Sequence, residues 1–182
     1  MNELKRCKWC NMHNERYIRY HDEEWGVANF DDSYLFEMLL LESFQAGLSW
    51  ECVLNKREAF RKAFDGFDAE TIAKYGEEKI AELMANPNII RNRLKINAAV
   101  NNAKVFLQIQ RQYGSFREYL KGFTKEQQIV ELGKTTSPLS DALSRDLAKR
   151  GMKFVGSTIV YSYLQAIGVI VSHDPECFMY QK

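Results

Sequence analysis

The sequence predicts an all-α fold, and three observations carry that prediction. Apolar residues recur at helical spacing through most of the chain, as in Ile96, Ala99, Val100, Ala103, Phe106 and Leu107. Strand-like alternation is not sustained, and β-branched runs are scarce outside Ile167 to Val171. Capping residues and glycines punctuate the apolar segments at helix-like intervals. No internal repeat or linker-like stretch divides the chain. Residues 1–182 therefore read as a single domain, of one or two helical lobes, with both termini packed on it.

The elements follow in order. From Asp32 the segment SYLFEMLLLESFQAGLSW is apolar on nearly every side, which places a helix in the middle of the fold. Asp31 or Asp32 can cap its start, and Gly47 lies near its end. A second helix is predicted over Trp50 to Phe64, stopping before Asp65-Gly66. Asp68 can cap a third, short one with Glu70 in its first turn. Glu77 to Met84 fits another short helix ahead of Pro87, Arg91 to Tyr113 a long one, and Ser115 to Phe123 a weaker one. Gly133 to Ser137 reads as a polar loop closed by Pro138. Ser140 to Arg150 is helical, Gly151 stops it, and a helix resumes after Gly156.

Composition bounds the class. With 46% hydrophobic residues the chain is no disordered segment, and three prolines and ten glycines exclude collagen-like and low-complexity classes. Twenty-five Lys and Arg face 24 Asp and Glu, a net charge of +1, so any hold on nucleic acid needs a local patch. The stretch Met1 to Arg16 has no apolar signal core, which predicts a cytoplasmic protein. Thr158 to Val171 is broken by Ser162 and Gln165 and falls short of the ~20 residues that a membrane span needs. In that compartment the four cysteines are expected as buried thiols, metal ligands or catalytic groups rather than disulfides.

Four residues near the two chain ends form a candidate metal set. Cys7 and His21 lie early, His173 and Cys177 late, and two sulfurs with two imidazoles complete a tetrahedral Zn²⁺ shell. A closed shell is structural: it leaves no position for a reacting water. It would staple two ends that have little core of their own, contributing on the order of 10 kcal/mol to folding. Cys10 offers a competing Cys7-x₂-Cys10 pair, and buried thiols with ordinary surface imidazoles are the plainer reading.

A second feature is the run from Leu147 to Thr158, which reads helix, tight turn, helix. Gly151 suits a left-handed helix end, Gly156 permits close approach of a ligand, and Ser157 and Thr158 open a helix whose free N–H groups favour an anion. Between Lys134 and Ser157 five Lys or Arg, including Lys149 and Lys153, face two Asp. Such a hairpin can hold a DNA phosphate without reading sequence. The plain alternative is an αα-hairpin with a solvated basic face.

The third feature is aromatic. All three tryptophans, Trp9, Trp25 and Trp50, lie in the first fifty residues, accompanied by Tyr17, Tyr20 and Tyr34. Glu42 shares a helix face with Leu35, Met38, Leu39 and Ala46, with Gln45 and Ser49 on the same side. A carboxylate on an apolar face is costly without a partner. It is either bound to backbone or Arg donors, or it forms the floor of an aromatic pocket suited to a flat cation. Glu37, with apolar flanks of its own, is the rival.

Together these pieces resemble a known family. The segments Tyr20 to Val27 (YHDEEWGV), Leu41 to Trp50 (LESFQAGLSW) and Lys149 to Gly156 (KRGMKFVG) are similar to those of bacterial DNA-3-methyladenine glycosylase I, and the likeness runs in order along nearly the whole chain. The resemblance implies a fold of the helix-hairpin-helix glycosylase superfamily, one structural zinc per chain, and release of 3-methyladenine from alkylated double-stranded DNA. By position it implies Cys7, His21, His173 and Cys177 as the zinc ligands and Glu42 as the carboxylate that contacts the damaged base. It implies Trp50 as the stacking ring, with Tyr17, Tyr20, Trp9 and Trp25 lining or supporting the pocket, to which the helix face adds Gln45. Gly151, Lys153, Gly156, Ser157 and Lys149 are the expected DNA contacts. Cys10 and Cys52 receive no role, and Phe44 departs from the pattern, which admits a polar residue there.

The chemistry expected is hydrolysis without a lyase step. Methylation at N3 already makes the base a good leaving group, so extrusion and selection are the main tasks. Glu42 is expected to be ionised and to accept hydrogen bonds from the base. Asp174, next to a candidate ligand, is not expected to stabilise the sugar cation, and neither Lys149 nor Lys153 is expected to form a Schiff base. Two other classes share parts of the pattern: a zinc-stapled DNA-binding module without catalysis, and a metallohydrolase built on His21 and His173. The module gives no reason for a carboxylate beside tryptophans, and four filled ligand positions argue against the hydrolase. No obligate protein partner is expected.

Overall fold

The computed structural model describes residues 4–180. Ten α-helices follow in order: α1 (Glu15–Glu23), α2 (Asp32–Gln45), α3 (Trp50–Asn55), α4 (Arg57–Ala63), α5 (Ala69–Ile72), α6 (Glu77–Ala85), α7 (Arg93–Tyr113), α8 (Phe116–Thr124), α9 (Pro138–Lys149) and α10 (Ser157–Ala166). A 3₁₀ turn, Asp65–Phe67, links α4 to α5. Two short strands, β1 (Ile129–Val130) and β2 (Ile170–Val171), pair in parallel, with Ile129 opposite Ile170. Among the described residues this bridge is the one departure from an all-α fold. It forms where the β-branched run ends, tied by Ile129 N–H to the Val169 carbonyl at 2.8 Å. Among the described residues no helix is long and apolar enough to cross a membrane.

Helix α2 is the axis of the molecule. Every residue from Leu35 to Phe44 is buried, as its all-round apolarity requires. Its buried faces meet α3, α7, α8 and α10. Asp31 caps it by accepting from Ser33 N. Asp32 reaches across to Phe116 N and Arg117 N at 2.8 and 3.0 Å, anchoring α8. The Phe36, Phe106 and Phe116 rings stack at its side.

Three sequence expectations shift. The helix expected over Trp50 to Phe64 breaks at Lys56, where Arg57 turns inward to meet Glu24 and Glu37 at 2.7 and 2.6 Å. Glu37 is thereby spoken for, and Arg61 joins it at 2.6 Å. Helix α1 has no counterpart in the sequence reading, because ERYIRYHDE is too polar for an apolar stripe to stand out. It is capped by Asn14 and buries only Tyr20 and His21 completely. The helix expected from Ser140 starts earlier, at Pro138, under a capping box between Ser137 and Ser140.

One glycine fixes how the C-terminal part meets α1. Gly168 has φ +73°, and a Cβ there would lie 2.2 Å from the Val27 carbonyl carbon. Only glycine allows the two backbones to touch. The contact sets the turn after α10 against the turn after α1.

Candidate active site

The carboxylate of Glu42 is 2% exposed on α2, one turn before that helix ends. Tyr17 and Tyr20 face it from α1, Trp50 from the first position of α3, and Trp9 and Trp25 from the segments flanking α1. With Gln45 they line a cavity of about 310 Å³. Tyr20 lies 5.2 Å from the Trp50 ring, and Trp9 packs at 5.1 Å on Tyr17 and 4.7 Å on Trp25. Three polar atoms buried here have no hydrogen-bond partner among the described residues: Glu42 Oε2, Gln45 Oε1 and Trp50 Nε1. Buried polar groups are rarely left so, and a ligand is the simplest partner for three that converge.

Burial alone pushes the Glu42 carboxyl well above the usual carboxylate range. Burial thus favours the protonated acid, whereas the sequence reading expects the ion; a cation beside the carboxylate acts in the opposite direction. Burial likewise raises Tyr20, and it raises Tyr17 to about 12 with Glu51 and Cys10 adding, so both phenols stay neutral.

The facing wall escaped sequence reasoning. Gly133 and Lys134 come from the loop after β1, Ser162 and Gln165 from α10, and Ser172 and Asp174 from the chain beyond β2. Asp174 does line the cavity, despite its place beside His173, with Oδ2 accepting from Lys8 N at 2.9 Å. Small polar residues spread over forty positions leave no pattern to read. Tyr34, grouped with the aromatics in the sequence, stands elsewhere and donates to Ala166 O and Glu24. Ser49 caps α3 rather than continuing the α2 face.

Directly behind the aromatic wall, Cys7, His21, His173 and Cys177 meet. All four are buried, and their donor atoms lie within 4.8 Å of one another. Cys7 Sγ is 3.5 Å from His173 Nδ1, and Cys177 Sγ is 3.5 and 3.6 Å from His21 Nε2 and His173 Nδ1. The second ring nitrogens are held from outside. His21 Nδ1 meets Asp22 at 2.7 Å, itself fixed by Arg6, and His173 Nε2 donates to Trp25 O at 3.1 Å. A carbonyl can only accept, so the His173 proton sits on Nε2 and Nδ1 offers its lone pair inward. Cys10 remains outside the group, its thiol 3.9 Å from Tyr17 O, and the Cys7-x₂-Cys10 pairing is not formed. The Trp25 ring stands edge-on to His173 at 4.7 Å, so cluster and cavity share a wall.

The hairpin joins α9 to α10. Gly151 has φ +101°, a conformation that suits glycine, and its carbonyl accepts from Asn101 at 2.8 Å. Asn102, wholly buried on α7, both donates to Lys153 O at 2.9 Å and accepts from Lys153 N at 2.8 Å. Neither asparagine signals itself in the sequence, since each looks like an ordinary polar position of a long helix. Lys149, Lys153 and Gly156 are exposed, and a Cβ at Gly156 would meet nothing within 4 Å. Other polar groups of this region have partners within the protein. Ser157 is half-buried, with its hydroxyl taken by Ser140 and Asp141. Arg150 is held by Asp146 and lies over the Tyr113 and Tyr119 rings, and Lys134 pairs with Glu131. Among the described residues, the positive charge of the hairpin without an acidic partner is that of Arg145, Lys149 and Lys153.

The family model described as methyladenine glycosylase matches residues 9–180. The chain belongs to the methyladenine glycosylase family. The DNA-3-methyladenine glycosylase 1 of Escherichia coli (strain K12) is 43% identical over 183 residues, 97% of each chain. A crystal structure of a 3-methyladenine DNA glycosylase I superposes with a TM-score of 0.93 at 43% identity, covering 97% of this chain and 100% of that one. Another such glycosylase, crystallised as a tyrosine-to-phenylalanine variant in complex with 3-methyladenine, gives a TM-score of 0.91 at 35% identity, with 100% and 99% covered. In this methyladenine glycosylase, then, the aromatic cavity, the cysteine–histidine cluster and the hairpin are parts of one enzyme.

Proposed function

We infer that the protein is a monofunctional DNA glycosylase that flips 3-methyladenine out of alkylated double-stranded DNA and releases it by hydrolysis. The observation that carries this reading is the convergence of unpartnered Glu42 Oε2, Gln45 Oε1 and Trp50 Nε1 on a cavity walled by aromatic rings. N3 methylation leaves the nucleobase positively charged. A flat cation stacks on indole and gains from its quadrupole, and an unscreened carboxylate beside it holds that charge further. We assign the stacking ring to Trp50, the carboxylate to Glu42, and the cage to Tyr17, Tyr20, Trp9 and Trp25.

The reaction needs little acid catalysis. The C1′–N9 bond breaks, its electron pair neutralises the departing base, water adds to C1′, and its proton passes to solvent. Glu42 acts by favouring the extruded, charged base over a neutral one. The neutral phenols of Tyr17 and Tyr20 contribute shape and stacking without charge. Around the hairpin, exposed Lys149 and Lys153 and the open backbone from Gly151 to the start of α10 hold a phosphate while the duplex is scanned. The Ser157 hydroxyl, already engaged, contributes through its backbone N–H alone.

The cysteine–histidine cluster fits one structural Zn²⁺. Zinc bonds of about 2.0–2.3 Å place tetrahedral ligand atoms about 3.6 Å apart, against observed sulfur–nitrogen separations of 3.5 to 3.6 Å. Both imidazoles carry the outer hydrogen bonds that such ligands need. When bound, the metal would supply cross-linking; four protein ligands leave no open position, which argues against the metallohydrolase alternative. A single contiguous core supports reading the chain as one domain, and four unpaired cysteines fit a cytoplasmic location.

The test is base release from DNA carrying mixed methyl lesions. Free 3-methyladenine should appear, leaving unnicked abasic sites. DNA binding without any free base would support the non-catalytic module instead, and strand cleavage would contradict the monofunctional assignment.

A further inference from the structure

Helix α7 carries a buried charge behind the base cavity. Lys95, in the first turn of α7, is 7% exposed and has no carboxylate partner among the described residues. Its ammonium donates to two backbone carbonyls, Phe44 O at 2.8 Å and Ala46 O at 2.5 Å. Those carbonyls belong to the residues immediately before and after Gln45.

The location matters because α2 ends there. The last carbonyls of a helix lack intrahelical partners and carry partial negative charge. Helix α2 has no basic residue in its own last turn, and Gly47 follows with φ +77°. Gln45 O is met by Leu48 N at 2.6 Å, which leaves Phe44 O and Ala46 O for Lys95. After this turn the chain passes Ser49, the cap of α3, and reaches Trp50. Three side chains of the cavity, Glu42, Gln45 and Trp50, thus sit within one turn of the carbonyls that Lys95 grips.

Burying an ammonium is costly, and burial indeed lowers the Lys95 pKa. A neutral residue would fill the space more cheaply. We propose that Lys95 is a positioning residue for the base cavity: its grip on the Phe44 and Ala46 carbonyls fixes the end of α2, aims Gln45, and sets the turn that delivers Trp50. It touches neither base nor sugar. The assignment rests on the reading of the cavity as the base site, deepens it, and adds a second use for α7, whose Asn101 and Asn102 hold the hairpin.

The test compares Lys95→Met, which keeps the length and removes the donors, with Lys95→Arg, which restores them. Free 3-methyladenine binding, single-turnover release and affinity for undamaged duplex are measured well below each melting temperature. Fluorine NMR of 5-fluorotryptophan protein reports the ligand-free cavity. Lys95→Met should bind the base and release it about ten- to a hundredfold less well, the loss expected from misplacing groups by about 1 Å. Its Trp50 resonance should shift while that of Trp25 holds, its affinity for undamaged duplex should be unchanged, and Lys95→Arg should recover most of the loss. If Lys95→Met does not fold, Lys95→Gln, which removes the charge and shortens the reach to the two carbonyls, takes its place. A folded variant with wild-type base affinity and an unmoved Trp50 resonance overturns the proposal. So does an equal loss of base and duplex binding. Wild-type protein that binds no 3-methyladenine overturns the cavity reading itself, a separate result.

Discussion

Replacing Glu42 by glutamine separates what the carboxylate does for the reaction from what it costs the fold. The two side chains have nearly the same shape, so packing is preserved and only charge is lost. Glu42 Oε2 is buried without a partner, so its hydrogen bond is made only to the ligand. A hydrogen bond to a charged group contributes about 1.5–3 kcal/mol, which is roughly 10- to 160-fold in rate or affinity. Release of 3-methyladenine should fall by that factor under single-turnover conditions. Stability should move the other way. Burial raises the Glu42 pKa above its unfolded value of about 4.3, so the folded state holds this proton more tightly. The resulting stabilisation is complete below the unfolded pKa and is lost as pH rises toward the folded one. Glutamine never ionises and loses nothing. Glu42→Gln should therefore melt above the wild type, by a margin larger at pH 8 than at pH 5. Undiminished release together with a pH-independent margin would refute both halves of the reasoning.

Other outcomes follow from the same geometry. Chelator should lower the melting temperature and weaken 3-methyladenine binding together, because Trp25 lines the cavity and packs edge-on against His173; calorimetry with a tryptophan-quenching titration checks both. Gly168→Ala should destabilise the fold by about 3 kcal/mol or more, since a Cβ 2.2 Å from backbone at positive φ can be relieved only by moving the chain; denaturant unfolding measures it. Lys149→Ala combined with Lys153→Ala should lower the slope of log affinity for undamaged duplex against log salt by about 2, leaving free-base binding intact.

Much of this was legible in the sequence because its cause is local. The all-round apolarity of α2 announces the core, and Asp31, Asp68 and Ser115 mark helix starts where a side chain can accept from the backbone. Glu42 stands out because a charge on an apolar face demands an explanation. What stayed hidden depends on contacts between distant segments. Helix α1 is held by what packs on Tyr20 and His21, and the break at Lys56 by the Arg57 ion pairs. Lys95 and Asn102 look like ordinary polar residues of a long helix until the fold sets them against backbone groups fifty residues away. The polar wall of Lys134, Ser162 and Asp174 has no sequence signature at all. The hairpin was visible through its glycines, but which of its polar groups remain free was not, since Arg150 meets the Tyr113 ring and Ser157 meets Asp141 only in three dimensions.

The central claim is that the cavity behind Glu42 receives the damaged base, and a crystal structure of the protein with free 3-methyladenine tests it most directly. The base should stack on Trp50, with its hydrogen-bonding edge on Glu42 Oε2. Density for the base elsewhere, or an empty cavity at saturating ligand, would contradict the account.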